Sequence, residues 1–255
     1  MKLGVALAGG AFKGICHLGA LEVLEKNGIK IDMVSGCSMG AVVGGLYAAG
    51  VPVEKLKEEL KDLKRGRLMD FYPKALRNMG LMSGDKIVRY LKGLCGDVLI
   101  EDLKTPFVAT AVDIVTGKTV YIDKGPLLDA IRASISIPGL FAAVKKDDML
   151  LVDGGVKERI PVSILKEKGM DKTLAINTST DPGVMRPKNM VMMLSRAFDL
   201  MDWESGCFCE ADYTVPMEKG CEIVYYKPSE AVKAYEMGVE AMTAHLERAK
   251  AALGL

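Results

Sequence analysis

Histidine is nearly absent from this chain, with only His17 and His245 in 255 residues. A Ser-His-Asp triad would have to use one of these two. Charge imbalance is missing as well: 34 Lys or Arg against 33 Asp or Glu leave a net charge of +1. With no whole-molecule field to gather nucleic acid, a partner must be recognised by a site, and no nucleic-acid function is expected. The six cysteines, Cys16, Cys37, Cys95, Cys207, Cys209 and Cys221, contain no CxxC pair. Cys207-Phe208-Cys209 with Cys221 lacks a nearby fourth ligand, so no zinc site is expected there. A secretion signal is not expected either. Met1 to Ala8 is too short in its apolar part for a secretion signal and runs into a glycine turn, which predicts a buried first strand, reduced thiols and a cytoplasmic protein.

Uninterrupted apolar runs are also wanting. Met33 to Val53 carries no charge over a membrane-spanning length, and Gly40 and Gly44 even have GxxxG spacing. Gly36, Gly40, Gly44, Gly45, Gly50 and Pro52 nevertheless divide this stretch into strand, turn and core helix.

What the chain does have is an ordinary globular composition, 49% apolar and 26% charged, at a length that forms one domain, expected over residues 1–255. Short apolar runs alternate with helical patterns: Lys2 to Leu7, a helix from Ile15 to Lys26, Ile31 to Ser35, a helix from Met39 to Ala49. This is the βαβ signature. Further strands are predicted at Phe107 to Asp113, Val120 to Ile122, Met149 to Val152, Thr173 to Ile176 and Glu222 to Tyr225. The first two of these flank Thr116-Gly117 and read as a hairpin, so the sheet is expected to be mixed but mostly parallel. Ser229 to Leu253 is alanine-rich and helical, with Gly238 as its one breaker.

Three glycine-bearing turns carry the chemistry. Gly36-Cys37-Ser38-Met39-Gly40 follows a strand and opens a helix, the context that makes G-x-S-x-G a nucleophile elbow. The glycines permit a sharp turn that projects the Ser38 hydroxyl, and the helix N-terminus favours developing negative charge. The plainer reading of Ser38 is a helix N-cap in a tight βα turn. Gly9-Gly10-Ala11-Phe12-Lys13-Gly14 ends the first strand at another helix start, where its amides would serve as an oxyanion hole. Its competitor is a phosphate loop, although the spacing fits neither G-x-G-x-x-G nor the Walker pattern. In Leu150 to Gly155 a carboxylate, Asp153, closes an apolar strand before Gly154 and Gly155. Such an Asp is often a turn former, but strand ends in these sheets converge on the ligand crevice.

Neither histidine suits a triad. His17 lies among apolar neighbours on the first helix and reads as a core residue; His245 sits inside a strong helical run rather than on a loop. What remains is a Ser38-Asp153 dyad. An Asp near its ordinary pKa of about 3.9 is a weak base, so a dry crevice is required.

The three motifs together resemble the patatin-like phospholipases, whose pattern is a glycine-rich oxyanion loop, G-x-S-x-G and a later Asp-Gly-Gly or Asp-Gly-Ala. Gly14 to Leu21, Ile131 to Phe141 and Val152 to Val162 look like family segments too. The resemblance implies a three-layer α/β/α sandwich and a dyad of Ser38 as nucleophile and Asp153 as proton acceptor. It also implies an oxyanion loop at Gly9 to Gly14, elbow and support glycines Gly36, Gly40, Gly154 and Gly155, acyl-lipid or phospholipid substrates, and no cofactor or metal. Three departures bear on crevice shape: Ala11 replaces a third loop glycine, Arg159 stands where members often have Asn, and Ala142-Ala143 replaces a Phe-x-Pro pattern.

Two surface stretches bear on substrate. Glu54 to Lys92 holds 11 Lys or Arg against 6 Asp or Glu, so Lys64, Arg65, Arg67 and Arg77 are candidates for peripheral contact with an anionic membrane, against the reading of an ordinary mixed-charge helix face. Met185, Met190, Met192, Met193 and Met201 are candidates for an acyl-channel wall or cap, against plain core packing. The alternatives to a hydrolase are a non-catalytic lipid-binding member of the same fold and a nucleotide-binding protein using Gly9 to Gly14. The sequence sets no oligomeric state.

Overall fold

Residue size along the first strand decides how the layers stack. Side chains alternate between the faces of a sheet. In β1 (Leu3–Leu7), Leu3, Val5 and Leu7 join the main core on one face, while Ala6 and the following Ala8 belong to a small cluster on the other. Gly4 also lies on the small-residue face, where an added Cβ would come within 2.8 Å of Met170 Cγ. The sheet is therefore covered by a thick layer on one side and a thin one on the other.

The structure, a computed structural model, describes residues 1–61, 79–179, 184–188, 190–204, 210–217 and 230–255. The helices are α1 (Cys16–Lys26), α2 (Met39–Ala48), α3 (Val53–Lys61), α4 (Asp85–Cys95), α5 (Leu127–Ser134), α6 (Ser163–Glu167), α7 (Met190–Glu204) and α8 (Ala231–Leu253). The strands after β1 are β2 (Met33–Cys37), β3 (Gly80–Met82), β4 (Phe107–Asp113), β5 (Lys118–Ile122), β6 (Gly139–Phe141), β7 (Val144–Lys146), β8 (Met149–Asp153), β9 (Lys172–Asn177) and β10 (Tyr213–Pro216). Helices α1 to α5 and α8 supply the main core, and α6 with Ile160 and Val162 covers the opposite face. This is the expected α/β/α sandwich. Among the described residues no helix is long and apolar enough to cross a membrane.

The main sheet has eight strands and runs β10-β9-β1-β2-β4 in parallel, with β4 also pairing antiparallel to β5 and to β8, which in turn pairs β7. Along one edge of β4, Cys37 of β2 lies opposite Thr110, and Asp153 of β8 lies opposite Ala111. Because the other edge at these positions is taken by Tyr121 and Val120 of β5, β2 and β8 must share one edge and meet end to end. The strand ends expected to converge on the crevice do so, from opposite directions. Asp153 reaches the crevice on an antiparallel strand that runs head-on into the end of β2.

Other expectations shift in detail. The second strand is Met33–Cys37 rather than Ile31 to Ser35, because Asp32 ties the entry to Leu3 through two hydrogen bonds, and Ser35 Oγ donates to Pro161 O at 2.6 Å deep in the sheet. Gly36 and Cys37 of the G-x-S-x-G motif therefore belong to the strand. The hairpin stands, extended to Lys118. Strands β7 and β10 and the separate β3–β6 pair were not foreseen, being too short for alternation to register. The expected strand at Glu222 to Tyr225 lies outside the described residues. Gly238 does not break α8; it lets α8 cross α1 closely.

Candidate active site

The elbow forms where β2 stops and α2 starts. Ser38 sits between them at φ 52°, ψ −121°, a conformation that L residues rarely adopt and that costs of order 1–3 kcal/mol. Two glycines make it sterically feasible. A Cβ at Gly36 would lie 2.4 Å from Gly40 O, and one at Gly40 would lie 2.2 Å from Leu7 O. Ser38 has no side-chain capping bond, which argues against the plain N-cap reading and leaves its hydroxyl available.

The segment Ile131 to Phe141, from the last turn of α5 to β6, matched by resemblance but given no role from sequence, holds both candidate residues. Ser38 N–H donates to Ser134 Oγ at 2.9 Å, and Ser134 in turn donates to Thr110 O at 2.7 Å. Asp153 N–H donates to Ser136 O at 2.9 Å. Ser134→Ala would leave the Ser38 amide buried without an acceptor, so it is expected to lower stability by about 2 kcal/mol in denaturant unfolding.

Asp153 is buried, 5% exposed. Its Oδ1 accepts from Gly155 N–H at 2.8 Å and from the Cys37 thiol at 3.6 Å, whereas Oδ2 has no hydrogen-bond partner among the described residues. Burial pushes its pKa up from 3.8 to about 6, against the pull of the Ser38 hydroxyl, Gly155, Cys37 and Arg159. The Ser38 hydroxyl is thus near enough to act on Asp153 but short of hydrogen-bond geometry with Oδ2, a looseness common in unliganded sites. Burial and the adjacent Asp153 hold the Cys37 thiol protonated. Gly154 is required because a Cβ there would lie 2.5 Å from Thr110 O.

Part of the glycine loop is engaged within the fold. Gly9 N–H donates to Arg159 O at 2.9 Å and Lys13 N–H to Gly10 O at 3.0 Å. Gly10 and Ala11 line the crevice. Phe12, Lys13 and Gly14 turn away into a 3-10 segment and are buried; a Cβ at Gly14 would meet Met39 Cβ at 2.7 Å. Ala11 has φ 46°, which explains why a glycine suits this position better.

Arg159, read only as a departure from the family, clamps this loop. It is 8% exposed, its Nε donates to Gly9 O at 2.9 Å, and NH1 meets Asp199 of α7 at 3.5 Å. Thr178 Oγ also donates to Gly9 O. Ala142, another departure, is buried and packs against Gly80, while its carbonyl accepts from Arg132 at 2.7 Å.

Two cavities meet at Ser38. The smaller, about 70 Å³, is the crevice of Gly10, Ala11, Asp153, Arg159, Phe198 and Asp199. The larger, about 170 Å³, is apolar and runs between α2, α3 and α4. Met185, Met192, Met193 and Met201 are not among the residues that line it, so they do not form its wall. Met193 and Met201 are 60% and 63% exposed, so core packing fails for them as well. The sequence offered no trace of the real lining, since Val42, Leu56 and Leu91 look like any core residues. The basic Lys64, Arg65, Arg67 and Arg77, and also Cys207, Cys209 and Cys221, lie outside the described residues.

The histidines stand apart from this chemistry. His17 is fully buried, bonds Ala8 O through Nε2 at 2.7 Å, and has its pKa lowered to about 4, chiefly by burial. His245 on α8 bonds the Tyr213 hydroxyl at 2.8 Å, beside the far edge strand β10.

Residues 5–166 match the family described as Patatin-like phospholipase. The chain belongs to the patatin-like phospholipase family. This patatin-like chain is 35% identical over 176 residues to an uncharacterised NTE family protein of Mycobacterium tuberculosis, covering 69% of this chain and 49% of that protein. It is 31% identical over 182 residues to a protein named lysophospholipase nte1 of Emericella nidulans, covering 70% of this chain and 12% of that protein. The chain thus matches about half the length of that mycobacterial relative. VipD from Legionella pneumophila shares its fold with a TM-score of 0.58 at 14% identity, over 96% of this chain and 67% of VipD. The type III effector ExoU does so with 0.54 at 14%, over 97% and 53%.

Proposed function

We propose that residues 1–255 act as a single domain and a serine lipid acyl hydrolase, with Ser38 as nucleophile and Asp153 as proton acceptor. One observation carries the reading: a strained, uncapped serine adjoins a buried carboxylate whose Oδ2 has no hydrogen-bond partner among the described residues, beside the glycine loop that lines the same crevice. A nucleotide-binding loop would need none of the first two. Similarity to a named lysophospholipase supports a lipid ester as the class of substrate.

In this reading Asp153 Oδ2 takes the proton of Ser38 Oγ as the oxygen attacks the ester carbonyl. The tetrahedral oxyanion accepts hydrogen bonds from Gly10 and Ala11 N–H, and the first turn of α2 adds its dipole. Asp153 returns the proton to the departing alcohol. Water, deprotonated by the same carboxylate, then attacks the acyl carbonyl, and Asp153 passes that proton to Ser38 Oγ as the acid leaves. The chain's own residues perform each transfer, so no cofactor or metal enters the scheme. The acyl tail lies in the apolar cavity and the rest of an acyl lipid or phospholipid in the polar crevice, with contact at an anionic membrane surface as the setting.

A fluorophosphonate probe tests this directly. The wild-type protein is expected to be labelled on the peptide carrying Ser38, to hydrolyse short-chain esters, and to do both equally well as His245→Ala. Absence of labelling and of hydrolysis in the wild type would replace the hydrolase with a lipid-binding member of the fold.

A further inference from the structure

Helix α7 carries two unlike faces. On one, Phe198 and Asp199 line the Ser38 crevice, Asp199 meets Arg159 at 3.5 Å, and Leu194 Cδ1 would stand 3.5 Å from a Cβ on Gly139. On the other, Met193, Ala197, Leu200 and Met201 recur at the spacing of a single helix face, and all four are exposed. Among the described residues no other helix bears more than one large apolar side chain so exposed. Arg186 and Lys188, in the segment just ahead of α7, are exposed as well.

An exposed apolar stripe marks a surface that something covers, and size and charge choose the cover. A stable dimer takes roughly 800 Å² and about 20 residues from each partner, and four side chains on one helix fall far short of that. A bilayer asks for less. A helix lies in the lipid interface when one side is apolar and cations accompany it, and anionic headgroups supply the countercharge. We propose that the outer face of α7, led by Arg186 and Lys188, is the surface by which this chain rests on an anionic lipid bilayer. The inference rests on the reading of the Ser38 crevice as the site of a lipid hydrolase, because one helix then meets lipid with its outer face and walls the site that consumes lipid with its inner one. None of the four apolar residues lines the crevice, so this face docks and takes no part in the chemistry.

Sedimentation with vesicles tests the docking without turnover, in a Ser38→Ala chain so that no lipid is consumed. Vesicles of phosphatidylcholine with phosphatidylglycerol are expected to bind roughly twenty-fold more tightly than phosphatidylcholine alone. Replacing Met193, Leu200 and Met201 together by Gln should weaken binding to the mixed vesicles by about ten-fold or more, and Arg186→Gln and Lys188→Gln by about five-fold each. The Tm of the triple variant should match that of its parent, since all three side chains already stand in water. Ile114→Gln, which removes an exposed apolar side chain after β4, should bind as before. Unchanged binding by the triple variant, an equal loss in Ile114→Gln, or equal affinity for the two kinds of vesicle overturns the docking face. So does a dimer in light scattering that the triple variant dissolves. Hydrolysis of a water-soluble short-chain ester by the chain with Ser38 intact reports separately: vesicle binding that depends on this face in a protein that hydrolyses nothing keeps the docking face and sinks the hydrolase, and the converse result does the reverse.

Discussion

Asp153→Asn is expected to lower kcat for ester hydrolysis by about a thousand-fold while making the folded protein more stable. The first effect follows from removing the only proton acceptor proposed for Ser38, since a positioned general base contributes roughly 10²- to 10⁴-fold. The second follows from the cause of the pKa shift. Burial raises Asp153 from 3.8 to about 6, so folding disfavours the charged form that dominates above that pH. The sign is fixed by proton uptake: below pH about 4 the group is protonated folded and unfolded alike and imposes no penalty. As pH rises through about 6 the folded state loses roughly 3 kcal/mol relative to a neutral side chain, at about 1.4 kcal/mol per unit. Asparagine escapes that loss, and its unpaired amide gives some of it back, leaving an expected gain of about 2 kcal/mol at pH 8 and almost none at pH 4. Denaturant unfolding at the two pH values checks this. Equal stability of Asp153→Asn and wild type at pH 8 would mean that the carboxylate is not desolvated. Wild-type kcat/KM should likewise rise with pH through about 6 and then level off, as the carboxylate becomes available to take the proton.

Gly238→Ala is expected to destabilise the protein by about 3 kcal/mol, with a drop in Tm of roughly 10 °C. At the crossing of α1 and α8 a Cβ on Gly238 would lie 1.8 Å from Cys16 O, and one on Gly19 would lie 2.2 Å from Tyr235 O. Neither obstacle is a side chain that can turn away. Both are carbonyls of helices packed on the main core, so the helices must separate and uncover apolar surface between them. On helix propensity alone the same substitution would be favourable by up to about 1 kcal/mol, so even the sign of the result separates close packing from propensity. The 3-10 segment that continues the glycine loop leads directly into α1, so a displaced α1 should also slow fluorophosphonate labelling at Ser38.

Those two residues illustrate how far this chain can be read without its fold. The elbow, the glycine loop and the Asp-Gly-Gly turn are legible because each is a local backbone problem. A sharp turn or a close approach demands glycine at fixed offsets, and Gly36, Gly40 and Gly154 meet backbone atoms that would exclude any Cβ. Strand and helix alternation is equally local, which is why β1, α2, the β4–β5 hairpin and α8 were expected close to where they lie. Short strands such as β7 and β10 escape, since three or four residues carry no period.

The sequence by itself determined the type of fold, the candidate nucleophile and its carboxylate, and the family pattern that joins them. Only the tertiary structure decided how they meet. Asp153 faces Ser38 because β8 runs antiparallel into the end of β2 along a shared edge of β4, a register set by pairing Cys37 with Thr110 and Ala111 with Asp153, residues far apart in the chain. The same holds for Arg159 and Thr178 on the Gly9 carbonyl and for Ser134 beneath Ser38. Contacts of this kind leave no spacing to read, because their geometry is created by packing and not by the local backbone.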